Sequence, residues 1–150
     1  MNGNGQIYTS TDSGATWTAR DSIRSWRSIA SSADGTKLAA VAGSNRIYTS
    51  ADSGATWTAR DTVNRAWLSV ASSADGTKLV AVVQGGQIYT STNSGVTLTA
   101  RDSNRGWSSV TSSADGTKLA AAVYGGQIYT STDSGITWTC LLYTSDAADE

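Results

Sequence analysis

The chain contains no histidine, no proline and no phenylalanine, and its single cysteine is Cys140. Histidine is the commonest general base and the commonest metal ligand in proteins, so both roles lack their usual residue here. A serine or cysteine nucleophile would have no histidine to activate it. One cysteine cannot form an internal disulfide. The sequence shows no glycine-rich phosphate loop and no cluster of metal-ligating residues, and we predict neither a cofactor nor a metal.

The sequence also has no large excess of either charge and no long hydrophobic run. Lysine and arginine number 11 against 12 acidic residues, so the net charge of −1 leaves no basic excess for binding nucleic acid. The longest apolar runs, such as Leu79–Val83, are far shorter than a membrane-spanning segment. Residues 1–5 show neither the charged region nor the apolar region of a signal peptide. We therefore expect no nucleic-acid partner and no membrane partner.

Carboxylates occur at few and repeated positions. The single glutamate is Glu150, and the aspartates before residue 140 occupy three positions of a repeat, which are Asp12, Asp52 and Asp133; Asp21, Asp61 and Asp102; and Asp34, Asp75 and Asp115. A glycosidase needs two carboxylates in unlike environments that face one substrate. Carboxylates that recur in every repeat have like environments. This pattern disfavours an enzymatic activity for this stretch of chain.

What the sequence does contain is a repeat. The segment Ile47–Trp57 recurs as Ile7–Trp17, Ile88–Leu98 and Ile128–Trp138, at spacings of 40, 41 and 40 residues. A period of this length without a helical pattern indicates a repeat architecture. Turn signals divide each period into four short strands, here called A to D. The Asp-Gly pairs between strands A and B, such as Asp34-Gly35, strongly favour a tight hairpin.

The strands differ in the faces that they should bury. In strand A, Trp26–Ser32, the tryptophan and Ile29 are three residues apart and are predicted to face opposite sides. Strand B, Lys37–Ala42, is apolar at consecutive positions, which predicts burial on both faces. Strands C and D are predicted at Gln6–Ser10 and Thr16–Arg20, with copies in each later period. A linker of about five residues then leads to the next strand A.

A four-stranded antiparallel sheet with two apolar faces must be covered on both sides, and radial stacking of such sheets produces a β-propeller. A parallel β-helix is the second possibility, although its rungs are shorter and lack tight hairpins. We predict an all-β propeller fragment of about three and a half blades. Complete blades are expected at 22–61, 62–102 and 103–139, after a partial blade at 4–21. Uncovered end blades would favour self-association of this open arc.

The last eleven residues, 140–150, depart from the repeat, because the earlier copies continue with Ala-Arg-Asp where Cys140 stands. This tail resembles the translated sequence of a sequencing adapter. We expect it to be non-native, and we expect the propeller domain to comprise residues 1–139.

The C–D hairpin carries the motif Ser-x-Asp-x-Gly-x-Thr-Trp. Its characteristic residues are Asp12, Gly14 and Trp17; Asp52, Gly54 and Trp57; Asn93 and Gly95; and Asp133, Gly135 and Trp138. This motif resembles the Asp-box, or bacterial neuraminidase repeat, of sialidase-like propellers. The third copy departs from it, since Asn93 replaces the aspartate and Leu98 the tryptophan. The resemblance implies that the motif is a folding element away from any active site, and it favours a secreted or periplasmic protein.

Sialidase-like enzymes combine an arginine cluster, a tyrosine nucleophile with a glutamate partner, and an aspartic acid. The sequence does not show this combination. A short carboxylate two residues before a glycine also fits an Asx-type turn, in which the side chain accepts backbone hydrogen bonds. We therefore interpret the repeated aspartates of the motif as structural and not as catalytic.

One edge of the sheets is predicted to carry the ligand. In a meander, the A–B and C–D turns share one rim, and the variable B–C turns and D–A linkers share the other. The candidate ligand residues on this second rim are Arg24, Arg65, Arg105, Gln84 and Tyr124. Alternatively, each arginine pairs with the nearby aspartate or stacks on the tryptophan that opens strand A.

The sequence thus favours a non-catalytic scaffold for binding or assembly, with a carbohydrate or protein ligand. The alternative is a fragment of a sialidase-like or other Asp-box glycoside hydrolase whose catalytic residues lie in other blades. Glutamate, arginine, tyrosine and aspartate residues in those blades, at positions that do not belong to the repeat, would favour the enzyme. A resemblance in fold does not choose between the two.

Overall fold

The computed structural model describes residues 3–141, which form fourteen β-strands and no helix. A two-stranded hairpin comes first and consists of β1 (Gly5–Thr9) and β2 (Thr18–Arg24). The first complete blade consists of β3 (Trp26–Ser31), β4 (Leu38–Ala42), β5 (Asn45–Ser50) and β6 (Thr58–Arg65). The second consists of β7 (Trp67–Ser72), β8 (Leu79–Val83), β9 (Ile88–Ser91) and β10 (Thr99–Arg101). The third consists of β11 (Trp107–Ser112), β12 (Leu119–Val123), β13 (Ile128–Ser131) and β14 (Thr139–Leu141).

Each blade is an antiparallel meander in which neighbours in the chain are neighbours in the sheet. The predicted fold class of about three and a half four-stranded blades is confirmed. The Asp-Gly turns also form as expected, since Gly35, Gly76 and Gly116 have φ angles of 74°, 69° and 69°. Among the described residues, no helix is long and apolar enough to cross a membrane. The predicted non-native tail lies outside the described residues, apart from Cys140 and Leu141.

The core lies between the blades. In β8, Leu79, Ala81 and Val83 belong to a buried cluster with residues of the first blade. The alternate residues Val80 and Val82 belong to a second cluster with residues of the third blade. Burial of strand B on both faces is therefore confirmed for the second blade, which has a neighbour on either side. In the third blade, which has a described neighbour on one side only, Ala120 and Ala122 of strand B are half-buried.

The predicted orientation of strand A is wrong. Trp67 pairs with Val83 and Val70 pairs with Ala81, so both residues lie on the face of the blade to which Val83 and Ala81 belong. A β-bulge between Trp67 and Ser69 causes this. The extra residue shifts the alternation of side chains by one position. The same irregularity occurs in β3 and β11, so the bulge belongs to the repeat.

The first strands of consecutive blades lie against each other. The Val70 amide donates to Ser28 Oγ at 3.2 Å, and the Val110 amide donates to Ser69 Oγ at 3.3 Å. Ala74 lies between its counterparts, because the Ala33 amide donates to its carbonyl and its own amide donates to the Ala114 carbonyl, both at 2.7 Å. Strands β3, β7 and β11 are therefore the inner strands, where the blades converge.

Strand D is longer than predicted in the N-terminal hairpin and in the first blade. β2 continues past Arg20 to Arg24, and β6 continues to Arg65. Asp21 and Asp61 adopt left-handed φ angles of 53° and 63°, and the pairing register shifts at these positions. Part of the expected linker is therefore strand. In the second complete blade, the fourth strand is β10, which ends at Arg101 as the sequence predicts.

Candidate functional site

Hydrogen bonds between turns define two rims. On the first rim, the C–D turn joins the A–B turn of its blade, as the Ser53 amide donates to the Thr36 carbonyl at 2.9 Å. On the second rim, the B–C turn joins the segment before strand A. The Tyr124 amide donates to the Gly106 carbonyl at 2.8 Å, and the Gln84 amide donates to the Ala66 carbonyl at 2.9 Å. The turns are therefore divided between the rims as the meander predicts.

The Ser-x-Asp-x-Gly-x-Thr-Trp hairpin on the first rim is held by its own side chains. Asp52 Oδ1 accepts from the Thr56 amide at 2.9 Å, and Oδ2 accepts from the Thr56 hydroxyl at 2.6 Å. Ser50 Oγ accepts from the Gly54 amide at 2.8 Å. The Trp57 indole donates to the Gly54 carbonyl at 3.0 Å. The hairpins around Asp12 and Asp133 repeat these contacts.

The third copy shows what the motif requires. Asn93 Oδ1 accepts from the Thr97 amide at 2.9 Å, and Asn93 Nδ2 donates to the Thr97 hydroxyl at 3.0 Å. Leu98, which replaces the tryptophan, packs against the core between the first and second blades. A neutral amide therefore holds this turn as the carboxylates hold the others. This supports a structural role for the whole set of motif residues.

Hydrogen bonds from the hairpin make these carboxylates strongly acidic. The Thr16 hydroxyl and amide, followed by the Ser10 hydroxyl, lower the pKa of Asp12 from 3.8 to about 2. The pKa values of Asp52 and Asp133 are lowered to about 2 by the equivalent groups. Hydrogen bonds to the charged form stabilise it, so these side chains stay ionised at neutral pH. A group of this kind is a poor general acid.

These shifts predict an acid-sensitive fold. Because the folded pKa lies below the ordinary value of 3.8, the contribution of each carboxylate is complete above about pH 4 and is lost as the pH falls towards 2. We expect the free energy of unfolding to fall across this window. The triple variant D12N/D52N/D133N should lose part of this acid dependence, since Asn93 holds the same turn uncharged. Urea unfolding of both proteins from pH 7 to pH 2 measures the difference, and identical acid slopes would contradict the prediction.

The three arginines of the second rim are held by aspartates. Arg65 Nε lies 3.1 Å from Asp61 Oδ2. The same Nε–Oδ2 distance is 3.5 Å between Arg24 and Asp21. It is also 3.5 Å between Arg105 and Asp102. Their side chains are between 26% and 36% exposed, so none of the three is fully solvated.

Each arginine also stacks on a tyrosine, which the sequence analysis missed. The Arg65 guanidinium carbon lies 4.6 Å from the ring centre of Tyr89. Equivalent distances of 4.4 Å and 4.5 Å join Arg24 to Tyr48 and Arg105 to Tyr129. Because Arg65 ends the first blade and Tyr89 belongs to the second, the stack joins consecutive blades. The only sequence signal was that a tyrosine and an arginine recur in every period.

A tryptophan completes each of these groups. The ring centres of Trp67 and Tyr89 are 5.3 Å apart in an edge-to-face arrangement, and Trp107 and Tyr129 are 5.2 Å apart. This geometry is favourable for aromatic pairs. We call the aspartate, arginine, tyrosine and tryptophan of one such group an inter-blade stack. Its contacts support the structural alternative for the arginines more than a ligand-binding one.

Removing one of these arginines should weaken the joint between two blades. We expect Arg65→Ala to lower the free energy of unfolding by about 1–2 kcal/mol, from the loss of a cation–π contact and a half-buried ion pair. Arg46→Ala is the control, because Arg46 is an exposed arginine outside the inter-blade stacks. Urea unfolding measures both. Equal losses in the two variants would show that the stack does not stabilise the joint.

Gln84 and Tyr124 occupy equivalent positions in the B–C turns of the second and third blades. Both are exposed, and Tyr124 is 88% exposed. Their backbone amides are bound to the preceding segment, so the turns are fixed while the side chains face solvent. Of the predicted ligand residues, these two are the most open to a partner.

The aspartates of residues 3–141 are all engaged within the fold. Those of the first rim accept hydrogen bonds from their own turns, as Asp34 does from Ser32 and Thr36. Those of the second rim pair with arginines. The described residues hold no group of three or more potential metal ligands among cysteine, aspartate and glutamate. The carboxylates of this part of the chain thus have two environments, and each environment repeats from blade to blade.

No protein family model and no curated protein matches the chain. Solved structures resemble it at 18–24% identity, and the three described next are 18–19% identical to it. An ancestral GH74 enzyme matches 95% of the chain with a TM-score of 0.73, and YCF48 bound to a D1 peptide matches 77% with a TM-score of 0.65. A GH74 xyloglucanase from Xanthomonas campestris matches 80% with a TM-score of 0.64.

The chain spans 22%, 39% and 19% of the length of these three proteins, respectively. At such low identity the likeness concerns the fold and not the activity. YCF48 and the GH74 enzymes are β-propellers, and this chain has the fold of part of one.

Proposed function

We propose that this chain is part of a β-propeller that acts as a non-catalytic scaffold for binding and assembly, and that its second rim contacts a polypeptide. The observation that carries the proposal is the engagement of the described aspartates. Each is occupied by its own turn or by an arginine, which leaves no pair of carboxylates suited to acid–base catalysis. A scaffold needs no such pair.

The second rim is the better candidate surface. Its loops vary between blades, whereas the first rim repeats nearly the same residues. Exposed tyrosine is well suited to protein contacts because its ring is rigid, apolar and able to hydrogen bond. Tyr124 has these properties on a turn whose backbone is fixed. A similar propeller, YCF48, has been solved with a peptide bound, which favours a polypeptide over a sugar.

The two rims of the third blade provide a matched test. Peptides would be selected from a displayed random library against the 150-residue chain, and their affinities measured by calorimetry. We expect Tyr124→Ala on the second rim to weaken the selected peptides at least tenfold, a loss typical of a buried aromatic anchor. Ile136→Ala on the first rim, where Ile136 is 60% exposed, should leave them unchanged. Peptides that depend only on Ile136, or a library without a saturable binder, would contradict the proposal.

The second candidate is a glycoside hydrolase with its catalytic residues outside this chain. The observation that favours it is the match of 95% of the chain to an ancestral GH74 enzyme. Xyloglucan oligosaccharides test it, since one similar structure is a xyloglucanase. We expect neither hydrolysis nor saturable binding of these sugars by the 150-residue chain. Binding at the second rim would favour the enzyme fragment, and hydrolysis would overturn the scaffold.

A further inference from the structure

A cleft of about 210 Å³ opens on the first rim between the first and second blades. Its lining includes Ala51, Thr58 and Arg60 of the β5–β6 hairpin, and Gly76 and Ser94 of the second blade. Both blades are complete, so the cleft lies at an intact joint, here called the first joint. Sites for drug-sized ligands usually have about 300–1,000 Å³, so this cleft suits a smaller ligand.

The equivalent space at the second joint, between the second and third blades, is nearly closed at about 10 Å³. There the Lys78 ammonium donates to Ser134 Oγ at 3.3 Å and so crosses the joint. The counterpart of Lys78 at the first joint is Lys37, which donates instead to the Asp75 carbonyl at 3.0 Å. Ser94, the counterpart of Ser134, therefore lines the cleft without this contact. Repetition of the blades does not by itself produce the cleft.

A small residue in the C–D hairpin also distinguishes the first joint. Ala51 lines the cleft, whereas the other three hairpins have threonine at this position, namely Thr11, Thr92 and Thr132. Threonine has a hydroxyl and a methyl group that alanine lacks, and both would occupy space at the lining. The chain thus departs from its own repeat at a residue that borders the cleft.

Two cationic side chains line the cleft without a carboxylate partner. Arg60 Nε donates to the Thr49 hydroxyl at 2.7 Å, and this contact orients the guanidinium. Neither Arg60 nor Lys37 forms an ion pair within residues 3–141. A guanidinium presents its donors in a rigid fork that matches the oxygens of a phosphate, sulfate or carboxylate group. The first joint therefore has the charge and the donors that an oxyanion needs.

One carboxylate, that of Asp52, also borders the cleft. Its Oδ1 accepts from the Ser50 hydroxyl at 2.7 Å and from the Thr56 amide at 2.9 Å, and its Oδ2 accepts from the Thr56 hydroxyl at 2.6 Å. These donors belong to its own hairpin. Two cations against one carboxylate leave the lining with a net positive charge.

We propose that this cleft binds a small tetrahedral oxyanion, a phosphate or sulfate group. Arg60 and Lys37 supply the charge, and the hydroxyls of Thr58 and Ser94 supply further hydrogen bonds. Because these donors come from two facing blades, they suit a group with more oxygens than the two of a carboxylate. The cleft lies on the first rim, so the proposal is independent of the polypeptide contact proposed for the second rim.

Titration of the 150-residue chain with phosphate, glucose 6-phosphate and acetate tests the site. Constant ionic strength keeps the screening of surface charges equal, and nuclear magnetic resonance follows the backbone amides. We expect one saturable phosphate site, with the largest shifts at Gly76 and Ser94, and roughly tenfold weaker binding of acetate. Tighter binding of inorganic phosphate would identify the ligand as the free anion, and tighter binding of glucose 6-phosphate would identify it as a monoester.

Arg60→Gln should weaken phosphate binding about tenfold, the usual effect of losing a hydrogen bond to a charged group. Arg101→Gln is the matched control. Arg101 Nε donates to the Thr90 hydroxyl at 3.1 Å, as Arg60 does to Thr49, but Arg101 does not line the cleft. We expect this control to leave the phosphate affinity unchanged.

Ala51→Thr tests the cleft without changing its charge. The substitution introduces the residue of the other hairpins at an exposed position, and the filled space should weaken phosphate binding roughly tenfold. Amide spectra recorded without anion check that each variant is folded. The proposal is overturned by any of four results: no saturable phosphate binding, equal affinity for acetate, equal effects of Arg60→Gln and Arg101→Gln, or unchanged affinity in Ala51→Thr.

Discussion

Replacing Trp67 with alanine should lower the free energy of unfolding by about 3–5 kcal/mol, the usual loss for a large buried aromatic side chain. Trp67 is fully buried in the core between the first and second blades. Its ring packs edge-on against Tyr89, over which the Arg65 guanidinium lies. Alanine would leave a cavity within the inter-blade stack, because the surrounding strands are held in place by their own backbone hydrogen bonds.

Trp17→Ala is the matched control. Trp17 is 61% exposed, and its indole donates to the Gly14 carbonyl at 3.0 Å. Its loss should cost about 1 kcal/mol, which is the contribution of one hydrogen bond. Urea unfolding measures both variants. An unchanged m value, the slope of the free energy of unfolding against urea concentration, would show that both still unfold from the same compact state. Similar losses in the two variants would contradict the assignment of Trp67 to the core.

Trp67→Phe separates packing from hydrogen bonding. The buried Nε1 of Trp67 has no hydrogen-bond partner among the described residues. Phenylalanine keeps an aromatic ring and removes this unpaired donor, whose burial is unfavourable. We therefore expect Trp67→Phe to lose much less stability than Trp67→Ala. A loss equal to that of alanine would mean that the shape of the indole is what matters.

The second large effect is expected at Gly135. A Cβ atom at this position would lie 2.6 Å from Thr90 Cγ2 and 3.1 Å from Leu119 Cδ1. Thr90 belongs to the second blade, so the hairpin of the third blade approaches it too closely for any side chain. The φ angle of 85° also favours glycine. We expect Gly135→Ala to lower the free energy of unfolding by about 2–4 kcal/mol, from the backbone strain and the overpacking together.

Gly14→Ala separates these two causes. Gly14 has nearly the same φ, 89°, but only Trp17 lies near its Cβ position, at 3.6 Å. Its replacement should therefore cost only the backbone strain, about 1–2 kcal/mol. The difference between the two variants, measured by urea unfolding, reports on the contact between blades. Equal losses would show that the hairpin of the third blade can move away from Thr90.

Local signals were sufficient for the strands and most of the turns. The Asp-Gly pairs predicted the A–B hairpins, because a left-handed φ there favours glycine. The consecutive apolar residues of strand B predicted burial on both faces, which Val80 and Val82 on one side and Ala81 on the other confirm. The contacts of the hairpin motif also lie within a few residues of one another, as between Asp52 and Thr56.

The bulge in strand A was beyond prediction from the sequence. Strict alternation was assumed for Trp67 and Val70, and the extra residue between them reverses the result. The cause is the partner strand, because the register in which β7 pairs with β8 decides where an extra residue is accommodated. The continuation of β6 to Arg65 has the same origin, since Arg65 pairs with Asn45 on β5.

The sequence by itself determined the period, the number of strands in each blade and the turns, because these depend on residues that are near one another in the chain. The tertiary structure alone decided what surrounds Arg65: its ring partner is Tyr89, from the next blade, and not the tryptophan two residues away. It also decided that Tyr8 is exposed although its counterparts are covered. Both outcomes depend on which blades lie side by side, because equivalent residues of similar repeats can have different neighbours in the folded chain.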